Sequence, residues 1–397
     1  MTNLGKRIKT FLLAGMLVLS MSAFVAACGD DDSDDGGDSG STTSTDTGDS
    51  QQTAQDSVDE AKQIPEFTLE ADPVDLEKVK GKTIFNIPVS SAIPYVADVD
   101  EQMQQIAKDT GVEWVQFENQ GTPTEWGQGI EQGVNQGADL INLDAGLDPS
   151  LVIPQLKKAK QAGIPVQVSH LYEDGTGPSA DYADLVSSIV TVPFHKSGEL
   201  SVDYAVSQDG CDVDVLIINA AEVPPSDGIV DAMQSRLTEL CPDANTKVIN
   251  VPVVDWGTKI QPEVQSALQA NPKLNWILPI YDSMSLPAEA GVKAAQKGDG
   301  SVQIASYNGT PDVLKLIQDG DIMAAEQGEN VNWLGYANMD QMFRTLGAGP
   351  IIEDGNVQTP LRTFDDSNID EVGTPPAADK GYGDAYVSGY ESLWGIN

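Results

Sequence analysis

Val302-Gln303-Ile304-Ala305-Ser306-Tyr307-Asn308-Gly309-Thr310-Pro311-Asp312 holds the fold in miniature. Residues 303–307 read as a short buried strand, and Asn308-Gly309 breaks the chain with a pair that tolerates positive φ. Thr310 suits an N-cap, Pro311 the first helical turn and Asp312 the positive helix end. Val313, Leu314, Leu316 and Ile317 supply an apolar face, and Gly320 closes the helix. A strand, a polar residue at its carboxyl end and a capped helix make one α/β unit, and in open parallel sheets ligands bind beside such carboxyl ends. Asn308 is therefore a candidate ligand contact, although this loop alone fits a plain turn residue equally well.

The same alternation repeats outward in both directions. Stretches 83–89, 112–117, 140–143, 164–168 and 188–192 read as strands before the midpoint; 213–218, 247–253, 274–280 and 321–326 follow. Helical stretches separate them, among them 149–162, 195–208, 226–240 and the long amphipathic 332–346. Strictly alternating strands and helices predict parallel sheets covered on both faces, and the strand count is too large for one sheet. Two doubly wound α/β domains are expected from about residue 80 onward. Beyond Gly349 the chain is rich in Pro, Gly and Asp, with one expected strand at 360–364 and an aromatic stretch, 382–394, expected to pack on the body.

The amino terminus reads as an export signal. Lys6, Arg7 and Lys9 precede the apolar run 11–25, which is too short and interrupted for a membrane span. The run ends at Val25-Ala26-Ala27-Cys28, which resembles the bacterial lipobox, in which the cysteine is diacylated and begins the mature protein; the alternative is an ordinary signal with an incidental cysteine. Residues 1–27 are thus expected to be a lipoprotein signal. Residues 28–79 are expected to be a lipidated Cys28 followed by a disordered acidic tether, because 29–59 hold almost nothing apolar to bury. The location expected is extracytoplasmic, lipid-anchored to the bacterial cell membrane.

The formal net charge is −39, and −42 without the signal, 19 basic against 61 acidic residues. That balance argues against nucleic acid or anionic lipid as a partner. Cys211 and Cys241 remain: one precedes a strand and the other follows the next helix, ends that lie on one side of a sheet. A disulfide is reasonable there outside the cytoplasm, and two buried free thiols are the alternative.

Enzyme signatures are missing from the sequence. There is no phosphate-cradling GxxxxGK[ST], Gly127-Gln128-Gly129 lacks a third glycine, and no GxSxG follows a strand. His170 and His195 are the only histidines, and no metal-ligand spacing stands out. No catalysis, cofactor or metal is expected. Instead, polar and aromatic residues recur at strand carboxyl ends: Ser91, Tyr95, Asn119, Asn142, Asp144, His170, Trp256, Tyr281, Asp282 and Asn308. Carbohydrate sites use this mixture, planar polar groups bonding hydroxyls and aromatic faces covering C–H surfaces. Taken singly, Trp256 and Tyr95 fit ordinary packing, and Asp282 and His170 fit turn or surface roles.

The segment order resembles the type 1 periplasmic binding proteins, the ribose- and galactose-binding-like subunits of ABC sugar importers, over about residues 81–349. The local marks are Gly133-Val134-Asn135-Gln136-Gly137-Ala138-Asp139, Ala162-Gly163-Ile164-Pro165-Val166 and Ser306 to Asp312. The resemblance implies two lobes, 80–192 plus 327–350 and 193–326 plus 351–397, with three crossovers near Val192, near Gln327 and after Gly349. It also implies that Ser91, Ile93, Tyr95 and His170 contact ligand from the first lobe, Asp227, Trp256, Asp282 and Asn308 from the second, and Gln327 from a crossover. The sequence departs from the family at Ser169-His170, where an Arg commonly stands beside an Asp, and near Asp227, where another Arg is expected. An acidic, acceptor-rich site suits a polyol, amino sugar or cationic solute. The function implied is a solute receptor, expected to be monomeric, that delivers a small sugar or polyol to an ABC permease. Alternatives are a receptor serving a membrane signalling protein and an extracellular carbohydrate-active enzyme.

Overall fold

Helix α1 (Thr47–Ala61) comes first, where the composition predicts a disordered tether. The computed structural model describes residues 47–320 and 322–396; the signal, Cys28 and the earlier part of the expected tether lie outside the described residues. The chain then builds β1 (Thr83–Pro88), α2 (Pro94–Thr110), β2 (Glu113–Gln116), α3 (Pro123–Gln136), β3 (Leu140–Asp144), α4 (Ile153–Ala162), β4 (Val166–Glu173) and β5 (Ser188–Val192). These strands form one parallel sheet in the order β2-β1-β3-β4-β5. Thr122 and Glu125 close a capping box at the start of α3, and Gly137, in the left-handed conformation at φ 71°, ends it.

The second half continues with α5 (Phe194–Asp209), β6 (Asp214–Asn219), α6 (Ser226–Leu240), β7 (Asn245–Asn250), α7 (Trp256–Ala270), β8 (Trp276–Pro279), α8 (Ser285–Ala294), β9 (Gln303–Asn308), α9 (Pro311–Gln318) and β10 (Met323–Glu329). After α10 (Val331–Phe343) come β11 (Leu361–Asp365) and α11 (Ala385–Leu393). The second sheet runs β11-β10-β9-β8-β6-β7, with β11 alone antiparallel to its neighbour. The expected pair of α/β lobes is present, within one compact unit.

One face of the first sheet is apolar: Phe85, Ile87, Ile141, Leu143, Val166 and Val168 pack with Trp126, Ile130, Leu156 and Ala159 of α3 and α4. The other face is crossed by a row of polar side chains in register, Gln116, Asn86, Asn142, Gln167 and Ser188, one from each strand. Asn142 donates to the Asn86 carbonyl oxygen at 2.8 Å, and Asn86 donates to Asp100 of α2 at 2.6 Å. Gln167 donates to the Asn338 backbone of α10 at 3.1 Å. Buried amides bonded to one another fix the register where apolar contacts alone would let strands slip.

Four expectations on organisation change. Ser50, Ala54 and Val58 of α1 are buried and the helix lies on α5 and α6, so the arm after residue 47 is part of the second lobe. Strand β10 runs to Glu329, so the crossover lies at Asn330 rather than Gln327. The tail divides: β11 joins the second sheet as expected, but α11 returns to the first lobe, since α11 packs on α10 and α10 on α2. Thr310 starts α9 without a side-chain cap; its hydroxyl and N–H both donate to Asp282, at 2.6 Å each. Asn308 and Gly309 do take positive φ, 138° and 86°. Cys211 and Cys241 are bonded, with Cα atoms 5.3 Å apart.

Candidate functional site

Glu329 ends β10 at the point where the chain leaves the second lobe, and its side chain is fully buried. Its Oε2 accepts three hydrogen bonds: from the Tyr95 hydroxyl at 2.6 Å, the Tyr307 hydroxyl at 2.7 Å and, from the other side, His170 Nε2 at 2.9 Å. Tyr95 and His170 belong to the first lobe and Tyr307 to the second. One carboxylate oxygen therefore joins both lobes. The other, Oε1, is buried with no hydrogen-bond partner among the described residues, an arrangement that costs about 1–3 kcal/mol.

The charges agree with this geometry. Burial pushes the Glu329 carboxyl up, but the His170 charge and the three donors more than offset it and hold it below the usual carboxylate range. Burial works against the charged His170 ring, and Glu329 reverses that, raising the imidazole net. The pair is an ion pair closed from solvent.

Rings line the same region in an unbroken series. Trp256 and Tyr281 have centroids 6.4 Å apart, Tyr281 and Tyr307 6.4 Å, Tyr307 and Phe194 6.3 Å, Phe194 and His170 5.2 Å, and His170 and Tyr95 5.5 Å. The series starts on the second lobe and ends on the first. Trp256 and Tyr281 are half-buried at its outer end, with the indole N–H donating to the Val251 carbonyl at 2.9 Å and the Tyr281 hydroxyl 3.2 Å from Ser226 Oγ. His170 holds its place with φ 54°, a left-handed conformation that costs a non-glycine residue of order 1 kcal/mol or more.

Of the residues expected from sequence, the structure brings Tyr95, His170, Trp256 and Tyr281 into this series. Asn308 is buried beside Tyr307 in β9, and its side-chain amide makes no hydrogen bond among the described residues. Others are occupied elsewhere. Asn142 lies in the polar row under α2 and α10, since it is the direct register partner of Asn86 and so shares its face. Asn119 braces its own loop, donating to the Pro88 carbonyl at 2.9 Å and accepting from the Gly121 N–H at 2.8 Å. Ser91 accepts from the Asn119 N–H at 3.1 Å, and Ile93 packs half-buried on the core. Asp282 is consumed by Ser306 and Thr310, so it shapes the β9 loop. Asp227 is exposed and accepts from Asn219 at 2.8 Å. Gln327 accepts from Thr363 of β11 at 2.6 Å.

Glu329, Tyr307 and Phe194 are missing from the sequence-based set. Glu329 sits two residues beyond Gln327, on the same side of an extended strand, so following β10 three residues further would have exposed it. Tyr307 reads as the end of a strand and Phe194 falls just before the expected helix 195–208, with no local signal that both join this cluster. Among the described residues no group of three or more His, Cys, Asp or Glu side chains is arranged to hold a metal ion, and no helix is long and apolar enough to cross a membrane.

Comparison with known proteins adds to this picture. The family model described as periplasmic binding protein domain matches residues 84–349. A D-apiose import binding protein of Paraburkholderia graminis is 27% identical over 199 residues, which cover 49% of this chain and 59% of that relative. An ABC transporter solute-binding protein from Agrobacterium vitis with bound allitol superposes at TM-score 0.64 and 18% identity, covering 74% of this chain and 98% of that one. One from Mycobacterium smegmatis with bound glycerol does so at 0.63 and 21%, covering 74% and 96%. A carbohydrate transporter from Acidothermus cellulolyticus in complex with myo-inositol gives 0.60 and 18%, covering 76% and 100%.

Proposed function

Because the chain belongs to the periplasmic binding protein family, over residues 84–349, we propose that it is the extracytoplasmic solute receptor of an ABC importer and holds a sugar or polyol between its lobes. The observation that carries this is Glu329: one oxygen is gripped by donors from both lobes and the other is buried and free to accept from a hydroxyl. The rings from Trp256 to Tyr95 supply the faces on which a sugar's C–H surface rests. Contacts from both lobes favour the closed arrangement when solute is present, which is the state a permease can distinguish. A relative named for D-apiose import, and neighbours holding allitol, glycerol and myo-inositol, agree with a small polyhydroxylated solute.

The lipid anchor at Cys28 and delivery to a permease belong to the same proposal. A thermal-shift screen across pentoses, hexoses, branched sugars and polyols, followed by calorimetry on the hits, tests it. A saturable melting-temperature rise with at least one of these is expected. A flat screen, or a rise only with amino acids or metal ions, contradicts it. For the anchor, mass spectrometry of the membrane-extracted protein is expected to find diacylglyceryl on Cys28, and an unmodified Cys28 in the mature protein contradicts it.

A further inference from the structure

We propose that the solute site continues past Phe194 into a second subsite for one further saccharide unit, so that the chain accepts a two-ring solute. This rests on the carbohydrate reading above. A cavity of about 500 Å³ lies between the lobes, with Tyr172, Tyr182 and Asp148 on the first-lobe side and Phe194 on the second. That volume falls within the roughly 300–1,000 Å³ of small-molecule sites. Phe194 ties it to the Glu329 cluster, since the same ring lies 5.2 Å from His170 and 6.3 Å from Tyr307.

The cavity is built by a distinctive piece of chain. The connection from β4, ending at Glu173, to β5, starting at Ser188, is longer than most such links, which run about 2–6 residues. It brings Ser179, Asp181 and Tyr182 to the cavity wall. Tyr182 is buried, with its hydroxyl 3.4 Å from that of Tyr172, so its ring is held in place. Asp181 is exposed and makes no hydrogen bond among the described residues, leaving both oxygens to accept.

The chemistry of the wall selects the occupant. The rings of Tyr172, Tyr182 and Phe194, the His195 imidazole and the carboxylates of Asp148, Glu173 and Asp181 line it, with no Lys or Arg, and His195 Nδ1 lies 3.9 Å from Glu173. Carboxylates accept from pairs of sugar hydroxyls and rings cover the C–H face. With three carboxylates around a single imidazole that already faces Glu173, and no Lys or Arg, the second unit is a neutral one, neither a sugar phosphate nor a uronic acid.

Calorimetry on the wild-type chain, Ser179→Trp and Tyr182→Ala tests this. The probes are D-apiose, allitol and myo-inositol, a panel of α- and β-linked disaccharides, and the monosaccharides that compose them. Ser179 is exposed, so the tryptophan fills the cavity mouth without entering the core and an unchanged melting temperature confirms its folding, while Tyr182→Ala, which truncates a buried ring, is confirmed folded by a single cooperative melt well above the assay temperature. At least one disaccharide is expected to bind wild type about tenfold or more tightly than its component units, and to lose about tenfold in either variant while single-unit binding stays within about twofold. Single-unit binding with no disaccharide binding, or disaccharide binding indifferent to both substitutions, overturns the subsite and leaves the carbohydrate reading standing. No binding by any probe overturns both.

Discussion

Asp144 shows how one side chain couples the buried core of the first lobe to the cleft. Its Oδ1 accepts from Ser169 at 2.5 Å, and its carboxyl is close enough to Asp100 and His170 to interact with both electrostatically. Burial first, and the neighbouring Asp144 second, push Asp100 up to about 8, and burial raises Asp144 as well. A carboxyl raised in the folded state keeps its proton while the unfolded chain loses it. Its stabilising effect is therefore complete below the unfolded value, about 3.9, and is lost as pH rises toward 8, by at most about 1.4 kcal/mol per unit for one proton. Asp144→Asn removes the like charge and lets Asp100 ionise, so melting temperature is expected to fall less between pH 5 and pH 8 than in wild type. Equal slopes would contradict the influence of Asp144 on Asp100. Trp256→Ala is expected to weaken solute binding by about 1 kcal/mol in calorimetry, because a half-buried ring at the end of the series offers its face. Single residues at strand ends were legible only in part. Trp256, Tyr281, Tyr95 and His170 combine an aromatic body with a polar tip, a type that marks a cleft. Asn142 and Asp282 have the same position in the pattern but are spent on neighbours, and only three-dimensional register reveals that.

At the scale of elements, the alternation of strand and helix was readable because each period carries its own punctuation, as Gly111, Gly137 and Gly163 end three helices in left-handed conformations. Helix α1 was not readable, and the reason is physical. Its buried side is the single ladder Ser50, Ala54 and Val58, small residues four apart that add little hydrophobicity to an acidic segment. Long-range bonds hold it: Ser50 Oγ donates to the Leu240 carbonyl at 2.7 Å, Gln51 to that of Ser207 at 2.9 Å, and Lys62 just beyond pairs with Asp365 at 2.5 Å. Val58→Ala is expected to cost about 1–2 kcal/mol in denaturant unfolding, where a tether residue would cost nothing. The neighbouring Cys211–Cys241 bond, with a sequence separation of 30, joins the start of β6 to the end of α6. Reduction, or replacement of both by serine, is expected to remove about 3–4 kcal/mol, and an unchanged unfolding midpoint would count against that.

The whole molecule is two α/β lobes joined through buried polar and aromatic side chains, Glu329, Tyr95, His170, Phe194 and Tyr307 among them. Arms cross between them: the segment after α1 reaches α11, with Phe67 of that arm 5.0 Å from Tyr390 and 6.2 Å from Trp333, and Val74 donating to the Leu393 carbonyl at 2.8 Å. These straps pack on α10 and α11, and the Glu329 cluster, at the crossover into α10, adds hydrogen bonds where the lobes meet. A solute that supplies a donor to the free Glu329 oxygen stabilises that meeting and shifts the population toward it. The most direct measurement is calorimetry of wild type and Glu329→Gln with the best sugar or polyol from the thermal-shift screen. Glutamine keeps the shape but gives up one acceptor and the charge, so an affinity loss of about tenfold or more is expected, with folding intact by melting temperature. Equal affinities in the two proteins would contradict a site centred on Glu329.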